Sequence, residues 1–252
     1  MISMSGRHRR RRVGRARLSP LTVIGELLFV SGLIVVGYIF WQPWYTGVVV
    51  AGQQTEISAE TSAKLRANPA PVEPGVVPVA ARSAENEAFG IMYVPAFGET
   101  YANVIAEGTS RNEVLNPAEK GIGHYVTTQM PGEPGNFAVA AHRSGSHTTP
   151  FKELMNLRVG DPIFIETSEG WYTYRFRSIE YVLPHESDVL LPFPRLPGTP
   201  GEDQILTLTT CHPKDFGADE RAIAYSVFES FQPLSEGPPA ELQDSNPNVG
   251  KA

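Results

Sequence analysis

Cys211, His142 and Arg221 have the residue types and placement that thiol-based acyl transfer requires. Cys211 is the only cysteine in 252 residues. It ends the run QILTLTTC (204–211), whose alternation reads as a strand, and His-Pro follows at once. A thiol that attacks a carbonyl needs a histidine to hold or move a proton. It also needs N–H or cationic groups for the developing oxyanion. The histidines after residue 46 are His124, His142, His147, His185 and His212. His142 closes the strand-like NFAVAAH and opens the turn HRSGSH, so it stands at a strand end, as Cys211 does. Two strand ends can meet at one barrel rim. Arg221 opens the last strand-like run. If CHPKDFGADE joins neighbouring antiparallel strands, Arg221 faces Cys211, where a guanidinium can hold a carbonyl or oxyanion. His212 is the weaker partner, because adjacent strand residues point to opposite faces. His147 and His185 lie in loops and stay open on sequence alone.

Each of these residues also has a plainer reading. A lone cysteine beside apolar strand residues is commonly a small core residue. A histidine at a strand end is commonly a surface group, and an arginine there a solvated edge. One cysteine and scattered histidines match no zinc spacing, so no metal and no cofactor is expected.

The elements that must position these residues are mostly strand-like. FGIMYVPAF, ANVIAEG, NFAVAAH, PIFIET, WYTYRFRSIEYV, QILTLTTC and AIAYSVFESF are β-type runs, and Pro/Gly clusters such as PGEPG and LPGTPGED part several of them. Helical signals are short: TSRNEVLNP, with Ser110 as a cap, and TPFKELMNL, with Thr149 as a cap and Pro150 in the first turn. The pattern predicts a mainly all-β domain over 88–232, a closed or nearly closed antiparallel barrel with a few short helices. Residues 46–87, rich in proline and alanine, read as an extended stalk, and 233–252 as a disordered tail.

Ahead of the stalk the chain changes character. Residues 1–17 hold seven arginines and no acid, which leaves 14 basic against 27 acidic residues elsewhere. Residues 21–45 follow as an apolar segment with no charge from Leu27 to Trp44. That length, roughly 27 Å of helix, approaches the ~30 Å hydrocarbon thickness. Trp41, Trp44 and Tyr45 cluster at its far end, where aromatics settle at an interface. The reading is a basic cytoplasmic segment (1–20), a transmembrane signal-anchor (21–45) and an extracytoplasmic domain. A cleaved signal peptide, with Val49 and Ala51 at the cleavage site, has a shorter apolar region. An arginine-rich nucleic-acid tail is disfavoured by the adjacent span. An exported chain with one cysteine forms no internal disulfide, so its thiol is buried, shared between chains or reactive.

These residues also resemble a family. TLTTC at 207–211 is similar to the TLxTC signature of sortases. AHR at 141–143 resembles the family's histidine strand end, with Ala141 where glycine is usual. Arg221 stands where the third sortase residue is expected, and PF at 150–151 and GD at 160–161 fit the sequence between. The resemblance covers about residues 88–231 and is most similar to class E sortases of high-GC Gram-positive bacteria. It implies an eight-stranded barrel and a membrane-anchored cysteine transpeptidase. In it Cys211 is the nucleophile, His142 the proton donor and acceptor, Arg221 the oxyanion and substrate-backbone ligand, and Thr210 a supporting group beside the nucleophile. It implies cleavage between Thr and Gly of a C-terminal sorting signal, LAxTG-like or LPxTG, on a surface protein. Transfer is then to an amine of a cell-wall precursor. A pilus-polymerising sortase usually adds a lid motif and often a second span, and neither is evident. A non-catalytic membrane-anchored surface domain would need Cys211 in the core.

Overall fold

A computed structural model describes residues 19–145, 148–198, 201–214 and 217–249, with the backbone alone for 43–51. The arginine-rich head, His147 and the side chains of Trp44 and Tyr45 lie outside the described residues. Two compact units divide the chain, one ending at Val48 and the other running from Val49 onward.

Helix α1 (Pro20–Ala67) runs through both units. Its stretch Pro20–Gln42 is long and apolar enough to cross a membrane. The helix continues well past the expected end of the span. Residues 52–67, GQQTEISAETSAKLRA, hold helix formers and no proline. Lys64 and Arg66 sit in the last turn, where cations suit the dipole, and Asn68-Pro69 ends the helix. The expected stalk is therefore helical to Ala67, and only 68–87 is mainly extended. That extended part is strapped to the barrel: Ala80 N–H donates to Pro131 O, and Tyr172 Oη donates to Pro78 O at 2.9 Å.

Eight strands follow: β1 (Ala88–Tyr93), β2 (Asn103–Glu107), β3 (Gly121–His124), β4 (Gly135–Ala141), β5 (Pro162–Glu166), β6 (Gly170–Val182), β7 (Gln204–His212) and β8 (Glu220–Pro233). They close in the order β1-β2-β3-β4-β7-β8-β6-β5. The closed eight-stranded barrel agrees with expectation, but it is mixed rather than antiparallel. β2–β3 and β4–β7 are parallel pairs. Parallel neighbours need a long crossover, and both pairs have one: residues 108–120 join β2 to β3, while β5 and β6 intervene between β4 and β7. β3, GIGH, carried no sequence signal. A Cβ on Gly123 would lie 2.4 Å from Gly108 O, so the crossover's close approach demands a residue that erases the strand pattern.

The interior is filled by alternate residues of each strand. On the three strands that matter below they are Phe137, Val139 and Ala141 of β4, Leu206 and Leu208 of β7, and Ala222 and Ala224 of β8. A second apolar cluster covers the barrel's outside: Ile91, Tyr93, Val104, Phe164 and Trp171 pack with Ile57 and Leu65 of α1 and with Leu242. Leu242 lies in α2 (Ala240–Ser245), within the tail expected to be disordered. One buried leucine in a polar, proline-punctuated segment gives no periodicity, yet Leu242 is fully buried. Glu241 beside it takes a bidentate pair from Arg175 at 2.9 and 2.7 Å. The expected helix caps are absent too: Ser110 makes no side-chain cap bond to the π-helical turn Arg111–Leu115, and a 3-10 turn starts only at Leu154 rather than at Thr149.

Leu242→Ala should lower unfolding stability by about 2–5 kcal/mol, read as a lower urea midpoint at unchanged slope. A loss under ~0.5 kcal/mol, the range of surface substitutions, would mean the tail is not docked.

Candidate active site

The site starts from strand register. β4 and β7 run parallel with Ala140 opposite Thr209. β4 ends at Ala141, and His142 follows it directly; continued by two residues, the same register sets His142 level with Cys211. β7 and β8 run antiparallel, with Cys211 opposite Arg221. Side chains alternate across a strand, and the interior set on these three strands is fixed by the core. Ala138, Ala140 and His142 therefore face outward, as do Thr207, Thr209 and Cys211, and Arg221 and Ile223. The register brings His142, Cys211 and Arg221 to one rim, on one face, from three adjacent strands.

Cys211 is unpaired and half-buried, so its thiol is not in the core. His142 is half-buried as well, and its Nε2 lies 2.8 Å from Asn116 Oδ1. With the amide oxygen as acceptor, Nε2–H donates, which sets the tautomer of the neutral ring. Asn116 directly follows the π-helical turn, and its own N–H donates to Arg111 O at 2.8 Å. His142 O accepts from Phe151 N–H at 3.1 Å, which closes the next loop back on it. Arg221 Nη1 donates to Ala218 O at 3.1 Å, in the turn between β7 and β8, and to Glu220 O at 2.9 Å, at the start of β8. Both acceptors are neutral, and among the described residues no carboxylate forms an ion pair with Arg221.

Thr210 faces the other way. Its hydroxyl is buried and donates to Ala141 O at 2.7 Å, tying the ends of β4 and β7 together. That bond fixes the spacing of the two strands directly beside Cys211. His212 also points away from Cys211. Its ring stacks on Tyr181 with centroids 4.2 Å apart, and its Nδ1 lies 2.9 Å from Nη1 of the buried Arg143. His124 is fully buried, with Nδ1 3.0 Å from Glu107 Oε1, and His185 lies in the loop after β6.

The loop after β6 flanks the outward face. Asn136, outward on β4, donates from Nδ2 to Val189 O and Leu191 O, each at 3.1 Å, and accepts from Thr207 Oγ1 at 2.6 Å. Arg195 pairs with Glu180, Glu186 and Asp188 at 3.1, 3.1 and 2.8 Å. The Leu183 N–H, and then Arg195, hold the Glu186 carboxyl below its ordinary range. Val182, Val189 and Ile223 pack beneath the loop. Among the described residues no three His, Cys, Asp or Glu side chains are grouped as metal ligands would be. Asn116 and Asn136 carried no sequence signal. Each is a single asparagine whose role comes from a long-range contact.

Known proteins are similar to this chain in sequence and fold. Residues 92–229 match the sortase domain family. The chain is 31% identical over 246 residues to sortase SrtE1 of Streptomyces coelicolor, covering 92% of this chain and 65% of that relative's length. Among solved structures, the SrtA sortase from Actinomyces oris is 34% identical with a TM-score of 0.60, covering 67% of this chain and 94% of that one. The crystal structure of sortase E1 from Streptomyces coelicolor with a tripeptide in the active site is 34% identical with a TM-score of 0.55, covering 64% and 99%. By its matched domain and by these similarities, the chain belongs to the sortase family of cysteine transpeptidases, among its class E-like members.

Proposed function

We propose that this chain is a membrane-anchored transpeptidase that cuts a C-terminal sorting signal between Thr and Gly, LAxTG-like in preference to LPxTG. The observation that carries this reading is the common face and rim of His142, Cys211 and Arg221. Cys211 gives its thiol proton to His142 Nδ1, its Sγ attacks the threonine carbonyl carbon, and the electrons of the C=O π bond move to the carbonyl oxygen, which takes the negative charge. Arg221, held by carbonyls that leave its charge intact, stabilises that oxygen. The intermediate collapses, the C–N bond breaks, and His142 gives its Nδ1 proton to the leaving glycine amine. An amine of a cell-wall precursor then attacks the thioester. His142 takes its proton, the new amide forms, and Cys211 leaves as thiolate. The tripeptide in the active site of the similar Streptomyces sortase E1 supports a peptide substrate. Thr210 acts as a positioning residue that keeps β4 and β7 in step. The catalytic body runs from about residue 49, since the helix up to Ala67 packs on the barrel.

The apolar stretch Pro20–Gln42 supports anchoring, and the arginine head supports a cytoplasmic N-terminus. The sole cysteine then reports topology. A membrane-impermeant thiol reagent should label Cys211 on intact cells; labelling only after lysis would reverse the orientation.

Full-length protein incubated with an LAxTG peptide should form a thioester seen by mass spectrometry, and paired LPxTG peptide should react more slowly. Cys211→Ala should form none. Arg221→Lys should lower kcat by about 10²–10³-fold, because an ammonium lacks the planar fork. Turnover by Cys211→Ala would overturn the reading. Asn116→Ala should lower kcat roughly 3- to 30-fold with KM little changed, since it removes one hydrogen bond to the ring. An unchanged kcat would remove Asn116 from the mechanism.

A further inference from the structure

α1 does more than lead out of the span. Gln54, Ser58, Ser62 and Arg66 are spaced by four and line one face of the helix. Ser58 Oγ donates to Ala102 O at 3.0 Å, and Ser62 and Arg66 reach Glu166. Gln54 is different: its amide reaches the two loops that flank His142. Nε2 donates to Ala118 O, in the crossover that carries Asn116 two residues earlier, and approaches Thr148 Oγ1 at 3.5 Å. Thr148 belongs to the loop that begins at His142 and returns through Phe151 N–H. It is buried, and it packs so closely on β3 that a Cβ at Gly121 would lie 2.9 Å from its methyl group. Gln54 is itself buried, and its Oε1 has no hydrogen-bond partner among the described residues. A donor buried at that cost sits where the two loops flanking His142 meet.

Resting on the reading of His142 given above, we propose that Gln54 is a positioning residue for that histidine. It holds the Asn116 loop and the Thr148 loop at one spacing, and so sets the direction of the His142 ring. The helix that follows the membrane-spanning stretch is thereby part of the machinery that aims the proton-transfer group. Ser58, on the same helix face, makes a docking bond that touches neither loop.

The test uses full-length protein in detergent micelles. Gln54→Leu removes the donors at similar size, Gln54→Glu replaces the NH2 with a carboxylate oxygen, and Ser58→Ala is the docking control. Both Gln54 variants should lower kcat for an LAxTG peptide roughly 3- to 10-fold with KM unchanged, and shift the pH profile of kcat. Gln54→Leu should cost little further in an Asn116→Ala background, because both act on one ring. Imidazole nuclear magnetic resonance of histidine-labelled protein should show the His142 titration moved by the Gln54 variants and unmoved by Ser58→Ala. Ser58→Ala should lower the melting temperature and leave kcat in place. The proposal is overturned if the Gln54 variants lose stability alone, with kcat, pH profile and His142 resonances as in the Ser58→Ala protein. It is also overturned if the Gln54 and Asn116 losses multiply. Failure of the underlying reading looks different: Cys211→Ala would still turn over peptide, whatever the Gln54 variants did to the His142 resonances.

Discussion

β4 and β7 lie side by side and point the same way, although β5 and β6 separate them in the chain. That parallel pairing is the constraint on which the site depends. Only with this register do two strands that end at the same rim also present their last outward residues, His142 and Cys211, at one level. A slip of one residue would turn Cys211 into the barrel and His212 onto the outward face. The register is specified from inside by Leu206, Leu208, Phe137 and Val139. At the rim it is held by the Thr210 hydroxyl on Ala141 O, and at the other end by Thr207 on Asn136. The third member comes from β8, whose antiparallel pairing with β7 sets Arg221 opposite Cys211.

A second constraint fixes α1 to the barrel. The Glu166 carboxylate is fully buried, and a buried charge is tolerated only when fully paired. Ser62 Oγ at 2.8 Å, Arg66 Nε at 3.0 Å and Tyr93 Oη at 2.6 Å supply the donors. Burial, and then the charge of Glu166, hold the Tyr93 phenol well above its ordinary range, so it stays a donor. Two of the three donors come from the helix. Removing the helix would therefore strand the carboxylate, which makes residues 54–66 part of the folded body rather than a tether. The same docking carries Gln54 to the loops around His142.

Much of this was legible in the sequence, and what was missed has physical causes. Seven strands showed as alternation because each has one face in the core. β3 did not, because close approach requires both of its glycines, Gly123 against the crossover and Gly121 against the loop after β4. The candidate thiol stood out by its uniqueness and its strand end, and alternation favoured His142 over His212. The helix past the apolar stretch was hidden because its docking face is mostly polar: Gln54, Ser58, Ser62 and Arg66 bind by hydrogen bonds, and Ile57 and Leu65, eight residues apart, give too short an apolar period. The parallel pairs were hidden because strand direction is set by crossovers, which local pattern does not encode. Thr210 was placed beside the nucleophile correctly in sequence, but neighbours in a strand face opposite ways, so its hydroxyl serves the interior side.

The central claim is that the three strand ends deliver His142, Cys211 and Arg221 to one reacting carbonyl. A crystal structure of the full-length protein with Cys211 joined to a peptide mimic ending in the threonine of the sorting signal tests it most directly. The account predicts that the Arg221 guanidinium leaves Ala218 O or Glu220 O to bond the peptide's carbonyl oxygen, with His142 Nδ1 on the leaving-group side and Nε2 still on Asn116. An adduct in which Arg221 keeps both turn carbonyls and His142 points away from the acyl carbon would contradict it.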